Sequence, residues 1–226
     1  MGKILLGWSS GKDSAWTLHV LRQQGANVGG LLTTLNEAAG RVAMHGVRRS
    51  LLEEQAAAAG VALWQVALPW PCTNEAYEAA MAETCRRAVA EGFDEMAFGD
   101  LYLRDVRAYR ERQLAGSGLR PVFPLWEIAT DGLAREMMAG GLRARLACVD
   151  TAALGEEFAG REFDEGLLGD LPAGVDPCGE NGEFHTFAYG GPMFGREIRC
   201  EVGERHWFER FLYVDLVGQG GSEGAE

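Results

Sequence analysis

Between residues 3 and 150 the chain alternates short apolar runs with helix-patterned segments, and this alternation narrows the possible folds more than any other feature. The runs 3–8 ("KILLGW"), 27–35 ("NVGGLLTTL"), 61–69 ("VALWQVALP"), 94–100 ("DEMAFGD") and 142–150 ("LRARLACVD") have strand length. Between them, 14–24, about 47–59, 74–91, 101–115 and about 130–139 read as helices from their spacing of apolar residues and their Ala, Leu, Glu and Gln content. Residues 119–126 ("LRPVFPLW") read as a proline-punctuated loop. Strand–helix alternation predicts an α/β fold with a parallel sheet, here five-stranded, and helices on both faces. In such sheets ligands sit beyond the carboxyl ends of the strands. The character changes after Thr151. Residues 152–217 are rich in Gly, Pro and acid and then form two antiparallel strand patterns. Three regions are therefore expected: a ligand-binding α/β domain over 1–151, a smaller α+β segment over 152–217 on the substrate side, and a disordered tail over 218–226.

Charge and cysteine content exclude several classes. The net charge of −12 and the absence of any lysine-rich run argue against a nucleic-acid partner. Lysine occurs only at Lys3 and Lys12. Five widely spaced cysteines with no C-x-x-C pair suggest buried free thiols rather than a zinc knuckle or dithiol. No apolar run is long enough for a bilayer span, and the N-terminal run lacks the shape of a signal peptide, so a cytoplasmic location is expected.

Chemistry concentrates at strand ends. "LGWSSGKDS" (6–14) joins the first strand to the first helix. A helix N-terminus at this position directs N–H groups and a positive dipole end at one spot. Ser9, Ser10 and Ser14 add hydroxyls, Gly11 permits a tight path and Lys12 adds charge. The spacing differs from Walker A, and Asp13 follows the lysine. A carboxylate here either orders the loop or helps hold Mg²⁺. Thr33 ends the second strand, and Gly99-Asp100 combines close backbone approach with a carboxylate at another strand end. His45 and Arg48 follow a glycine turn. Arg104, Arg107 and Arg110 recur at i, i+3 and i+6, so the first two share a face and the third drifts off it. Trp126 follows two prolines.

The loop resembles the PP-loop, S-G-G-x-D-S, of the ATP pyrophosphatase superfamily, with Ser10 at the first glycine. "GVDPCGENGEFHT" (174–186), Gly99-Asp100 with Arg104 and Arg107, and "PVFPLW" (121–126) narrow the likeness to the diphthine–ammonia ligase family. The resemblance covers the chain up to its tail. It departs from the family pattern G-E-G-G-E-F-E-T at Asn181 and at His185, where the pattern has Gly and an acid. The likeness implies cleavage of ATP between the α and β phosphates, adenylation of a carboxylate and displacement of AMP by ammonia. It implies ATP contacts from Ser9, Ser10, Gly11, Lys12, Asp13, Ser14, Thr33, Gly99 and Asp100. Lys12 would grip the outer phosphates, with Mg²⁺ at Asp13 and Asp100. Arg48, Arg104, Arg107, Trp126 and Asn181 would face pyrophosphate or substrate. The ammonium must lose a proton before it attacks, which Glu180, Glu183 or His185 could accept. The expected partners are ATP, ammonium and a carboxylate, either diphthine on elongation factor 2 or a small molecule, with a homodimer left open. A tRNA-thiolating enzyme and a non-catalytic nucleotide-binding module are the alternatives.

Overall fold

The computed structural model describes residues 2–42 and 45–218. Two sheets organise it. In the first, β1 (Lys3–Gly7) is central, flanked by β2 (Asn27–Asn36) and β5 (Phe93–Ala97); β4 (Leu63–Leu68) lies beyond β2, and β6 (Arg120–Val122) beyond β5. These four pairings are parallel, and one addition is not: β3 (Arg41–Val42) runs antiparallel to the end of β2. The second sheet is antiparallel, in the order β8 (Phe184–Gly190), β7 (Arg143–Asp150), β10 (Phe211–Gly218), β9 (Cys200–Phe208).

The expected α/β class is correct, and so is the count of five parallel strands, but one member differs. Strand 142–150 was expected in the parallel sheet and instead pairs antiparallel with β8 and β10. Its place in the parallel sheet is taken by β6, inside the stretch read as a loop. Pro121 obscured it: a proline cannot donate to a ladder, but on a three-residue edge strand this costs little. The second sheet therefore draws a strand from before Thr151. The tail expected at 218–226 lies outside the described residues except for Gly218, which ends β10.

Alternation along the strands fixes both faces of the parallel sheet. Ile4, Leu6, Leu31 and Leu35 pack with Ala15, Leu18 and Leu21 of α1 (Lys12–Gln23) and with Leu51, Leu52 and Ala56 of α2 (Arg49–Ala59). Leu5, Leu32 and Met96 face the other way, against Met81, Cys85 and Ala88 of α3 (Asn74–Ala90) and Leu114 of α4 (Arg104–Leu114). The first core continues into the second sheet through Leu146, Phe187 and Leu212 and reaches Leu133 and Met137 of α5 (Thr130–Ala139). A buried amide joins the two halves. Gln55 on α2 accepts from Trp8 Nε1 at 3.0 Å and donates to the carbonyls of Ser10 and Ala188 at 2.9 and 2.6 Å. These three bonds leave the amide with no unpaired polar atom in the core.

β1 is central, with β2 and β4 on one side and β5 and β6 on the other, so the strand order reverses at β1. The loop after β1, the end of β2 and the residues after β5 meet at that switch point.

Candidate functional site

A cavity of about 320 Å³ opens at the switch point. Ser9, Lys12, Asp13 and Ser14 form its floor, Thr33, Gly99 and Asp100 one side, and Glu180, His185 and Thr186 the opposite wall. The loop is shaped by its own hydroxyls. Gly11 N donates to Ser9 Oγ at 3.3 Å, and Ser14 Oγ donates to the Gly11 carbonyl at 2.9 Å. It is also clamped from the second sheet: Lys12 N donates to Thr186 Oγ1 at 3.0 Å, and Ala188 N to the Ser10 carbonyl at 2.9 Å. Ser10 and Gly11 shape the loop from beneath and do not line the cavity. Ser10 is fully buried in the left-handed region, at φ +70°, with its hydroxyl lacking a partner.

Lys12 is 2% exposed. Its ammonium donates to both Asp13 carboxylate oxygens, at 2.9 and 3.0 Å, and to the Cys178 carbonyl. Burial is the largest single influence and disfavours its charge, but Asp13, Cys178 and Glu180 together raise the pKa. Asp13 is pushed up by burial and drawn down by Lys12. The α1 helix is approached closely at its start by Gly99, where a Cβ would sit 3.0 Å from the Asp13 backbone carbon, so a side chain there would force helix and strand apart. Asp100 lies beyond, its Oδ2 buried without a hydrogen bond and 3.6 Å from Arg110 Nε. Burial raises its pKa against the pull of Arg110, and the Asp13 charge adds to the rise.

The segment 174–186 hangs over the floor on a frame of carboxylates. Asp176 accepts from Cys178 N and Glu180 N, and Glu183 accepts from Asp176 N and from both the backbone and the side-chain amide of Asn181. Gly179, at φ +69°, has room for no Cβ: one would lie 2.8 Å from the Phe184 carbonyl oxygen. The frame directs Glu180 toward the floor, where it accepts from Leu101 N at 2.8 Å. Burial raises the Glu180 pKa to about 7, with Asp13 and Asp100 contributing. The imidazoles of His45 and His185 lie with centroids 4.7 Å apart, tilted by 40°. Burial holds them at about 3 and about 4.

Several expected site residues lie elsewhere. Arg48 is bound to Asp215 of β10, at 2.9 and 2.5 Å. Glu183 and Asn181 brace the loop and do not line the cavity. Arg104 is exposed beside Glu127, and Arg107 pairs with Glu111 and lies 4.7 Å over the rings of both Phe123 and Trp126. Trp126 is thus part of an aromatic–guanidinium stack outside the cavity. Arg110, which the spacing argument set aside, is the arginine of α4 in the cavity wall, over the Phe98 ring. The stack holds Arg107 on one side of α4, and the helix turns Arg110 inward. Sequence reasoning also missed an apolar wall of Leu32, Tyr77, Met81, Met96 and Phe98. Tyr77 and Met81 stand i, i+4 on α3, a spacing that reads simply as core.

The arrangement can take a polyanion at the helix N-terminus and a flat apolar group against the aromatic and methionine wall. It defines an α/β protein whose loop between β1 and α1 is closed over by a second, antiparallel unit. Residues 129–218 match the family described as diphthamide synthase C-terminal domain. The human and rat proteins named diphthine–ammonia ligase are each 33% identical to this chain over 93 residues, covering 38% of this chain. The match spans 34% of those relatives' length. A solved chain from Methanocaldococcus jannaschii, titled a "predicted subunit of tRNA methyltransferase", is similar at 17% identity and a TM-score of 0.43, over 65% of this chain and 79% of that one. The likeness to diphthine–ammonia ligases and to the diphthamide synthase C-terminal domain thus covers part of the chain, and the family match falls on the segment that carries Glu180 and His185.

Among the described residues no three His, Cys, Asp or Glu side chains cluster as a metal site, and no helix is long and apolar enough to cross a membrane. The cysteines are free. Burial pushes the thiols of Cys148 and Cys178 up to about 12.

Proposed function

We propose that the chain is an ATP-dependent carbon–nitrogen ligase that adenylates a carboxylate, releases pyrophosphate and transfers ammonia, as the diphthine–ammonia ligase relatives' name suggests. One observation carries this reading: the family-matched segment delivers Glu180 and His185 into the same cavity as the Lys12–Asp13 loop. ATP would lay its base on the apolar wall and its phosphates on Ser9, Ser14 and the start of α1. Lys12 would exchange the Cys178 carbonyl for a phosphate oxygen. Asp13 and the unpartnered Asp100 Oδ2 suit Mg²⁺, which binds by one or two carboxylates plus phosphates. Bound there, the ion would neutralise charge on the phosphate oxygens.

A carboxylate oxygen of the substrate attacks the α phosphorus, the bond to the bridging oxygen breaks, and pyrophosphate leaves. Ammonia then attacks the acyl carbon and AMP departs. The nitrogen's surplus proton goes to Glu180, whose pKa of about 7 suits a general base near neutrality. The wall formed by 178–186 limits water, which would otherwise hydrolyse the adenylate.

The test incubates the protein with ATP, Mg²⁺, ammonium and candidate carboxylates, among them elongation factor 2 bearing diphthine, and follows AMP and pyrophosphate. Formation of both, dependent on carboxylate, is the expected outcome. ADP and orthophosphate as products, or nucleotide binding without pyrophosphate release, would refute it.

A further inference from the structure

A second cavity, of about 620 Å³, lies between the ends of β2 and β4 and the β9–β10 hairpin. Its size falls within the range of small-molecule pockets. Leu68, Trp70, Phe208 and Tyr213 make its walls mainly apolar. Trp70 and Phe208 are 64% and 53% exposed, with ring centroids 6.5 Å apart. Their exposure is unusual for side chains of this size in a soluble domain and leaves aromatic surface facing the opening.

One wall is charged. Asp215 receives both Arg41 and Arg48, so two cations meet one carboxylate and the cluster keeps a net positive charge in a chain of −12. Arg41 lines the cavity, and it uses a single nitrogen: Nη1 donates to Asp215 Oδ1 at 2.9 Å and to the Gly46 carbonyl at 2.8 Å. Among the described residues its Nε and Nη2 carry no hydrogen bond. These two N–H groups form the side-on fork of a guanidinium, which matches a carboxylate in bidentate fashion. Arg41 is thus immobilised by one edge with the other edge free.

The cavity adjoins the nucleotide site. Val42 lines both, and the turn at 45–46 separates them, His45 facing the first and Gly46 the second. We propose that the second cavity is a separate ligand site that takes a small carboxylic acid with an aromatic or branched apolar body, its carboxylate received by Arg41. The assignment rests on the Arg41 fork and the aromatic walls.

Calorimetric titration of the whole chain without nucleotide tests the pocket separately from the reaction. Phenylacetate is the probe; phenylacetamide removes the charge, and acetate removes the ring. Saturable phenylacetate binding is expected, with both controls weaker by about tenfold or more. Arg41→Gln and Trp70→Ala should each weaken phenylacetate binding by about tenfold. Trp70 is largely exposed, so its variant stays informative if loss of the Asp215 pair unfolds Arg41→Gln. Equal binding of acetate or phenylacetamide, no saturable binding, or indifference to Trp70→Ala would overturn the assignment. So would a concentration-dependent dimer abolished by Trp70→Ala, which would give the aromatic walls to a second copy.

Discussion

His45 Nδ1 lies 3.2 Å from the carbonyl oxygen of Thr186. A carbonyl only accepts, so Nδ1 carries the hydrogen and Nε2 is left as an acceptor. His185, next to Thr186 in sequence, packs at a tilt against the same ring. Burial, with the other imidazole and Lys12, holds His45 at about 3, and burial with Lys12 holds His185 at about 4. Above their ordinary value of 6.5 both are neutral whether the chain is folded or not. Below it the unfolded chain binds protons that the folded chain refuses, so this pair lowers stability as pH falls from about 6.5 toward about 4. His185→Gln is expected to flatten that acid limb in thermal melts across the window. Identical limbs in variant and parent would contradict the buried neutral pair.

The Lys12–Asp13 pair predicts a coupled effect. Lys12→Met strands the Asp13 carboxylate. Removing one member of a fully buried pair costs about 3–5 kcal/mol, and the 28% exposure of the Asp13 side chain reduces this to roughly 2–3 kcal/mol. Adding Asp13→Asn should restore most of the stability, while pyrophosphate release stays lost in both variants. Denaturant titration of both single variants and the double variant measures the coupling. Additive losses would mean that the two side chains do not support each other.

Ser10 lies in a conformation suited to glycine. For a residue with a Cβ the left-handed region costs about 1–2 kcal/mol, and its unpartnered hydroxyl adds to this. Glycine's extra unfolded-state freedom opposes by about 0.5–1 kcal/mol. Ser10→Gly should therefore stabilise the chain by about 0.5–1 kcal/mol, raising the melting temperature by roughly 1–4 °C. A lower melting temperature would show that the hydroxyl does stabilising work unseen in these contacts.

Arg110 and Arg104 should separate in kinetics. Arg110 lines the cavity at the switch point beside Asp100, where the proposed function places ATP, whereas the Arg104 side chain is 85% exposed. Loss of a charged hydrogen-bond donor to phosphate is worth about 1.5–3 kcal/mol, so Arg110→Met should raise the KM for ATP about tenfold or more. Arg104→Ala should stay within about twofold, as expected of an exposed pair. The opposite ranking would return the phosphate role to the start of α4.

The loop 9–14 was legible because its chemistry is local: a strand, a tight turn and a helix start lie within a dozen residues, and backbone N–H groups converge whatever surrounds them. Thr33, Gly99 and Asp100 were legible by the same logic, as strand ends at a switch point. Glu180 and His185 stood out by motif, but the motif did not separate them from Glu183, because adjacent carboxylates in a glycine-rich turn differ only in direction. Glu183 turns back to brace the turn, and Glu180 turns to the cavity.

The sequence by itself determined the α/β class, the helix and strand periods, and the tight loop at the start of α1, since each depends on neighbours within a few positions. Tertiary structure decided which sheet received residues 143–150, which arginine of α4 faced the cavity and which arginine was tied to Asp215, and where the second cavity formed. Those outcomes depend on partners distant along the chain. Arg48 and Asp215 are 167 positions apart, Lys12 and Thr186 174, and such pairings are selected by packing and charge only once the two sheets have closed together.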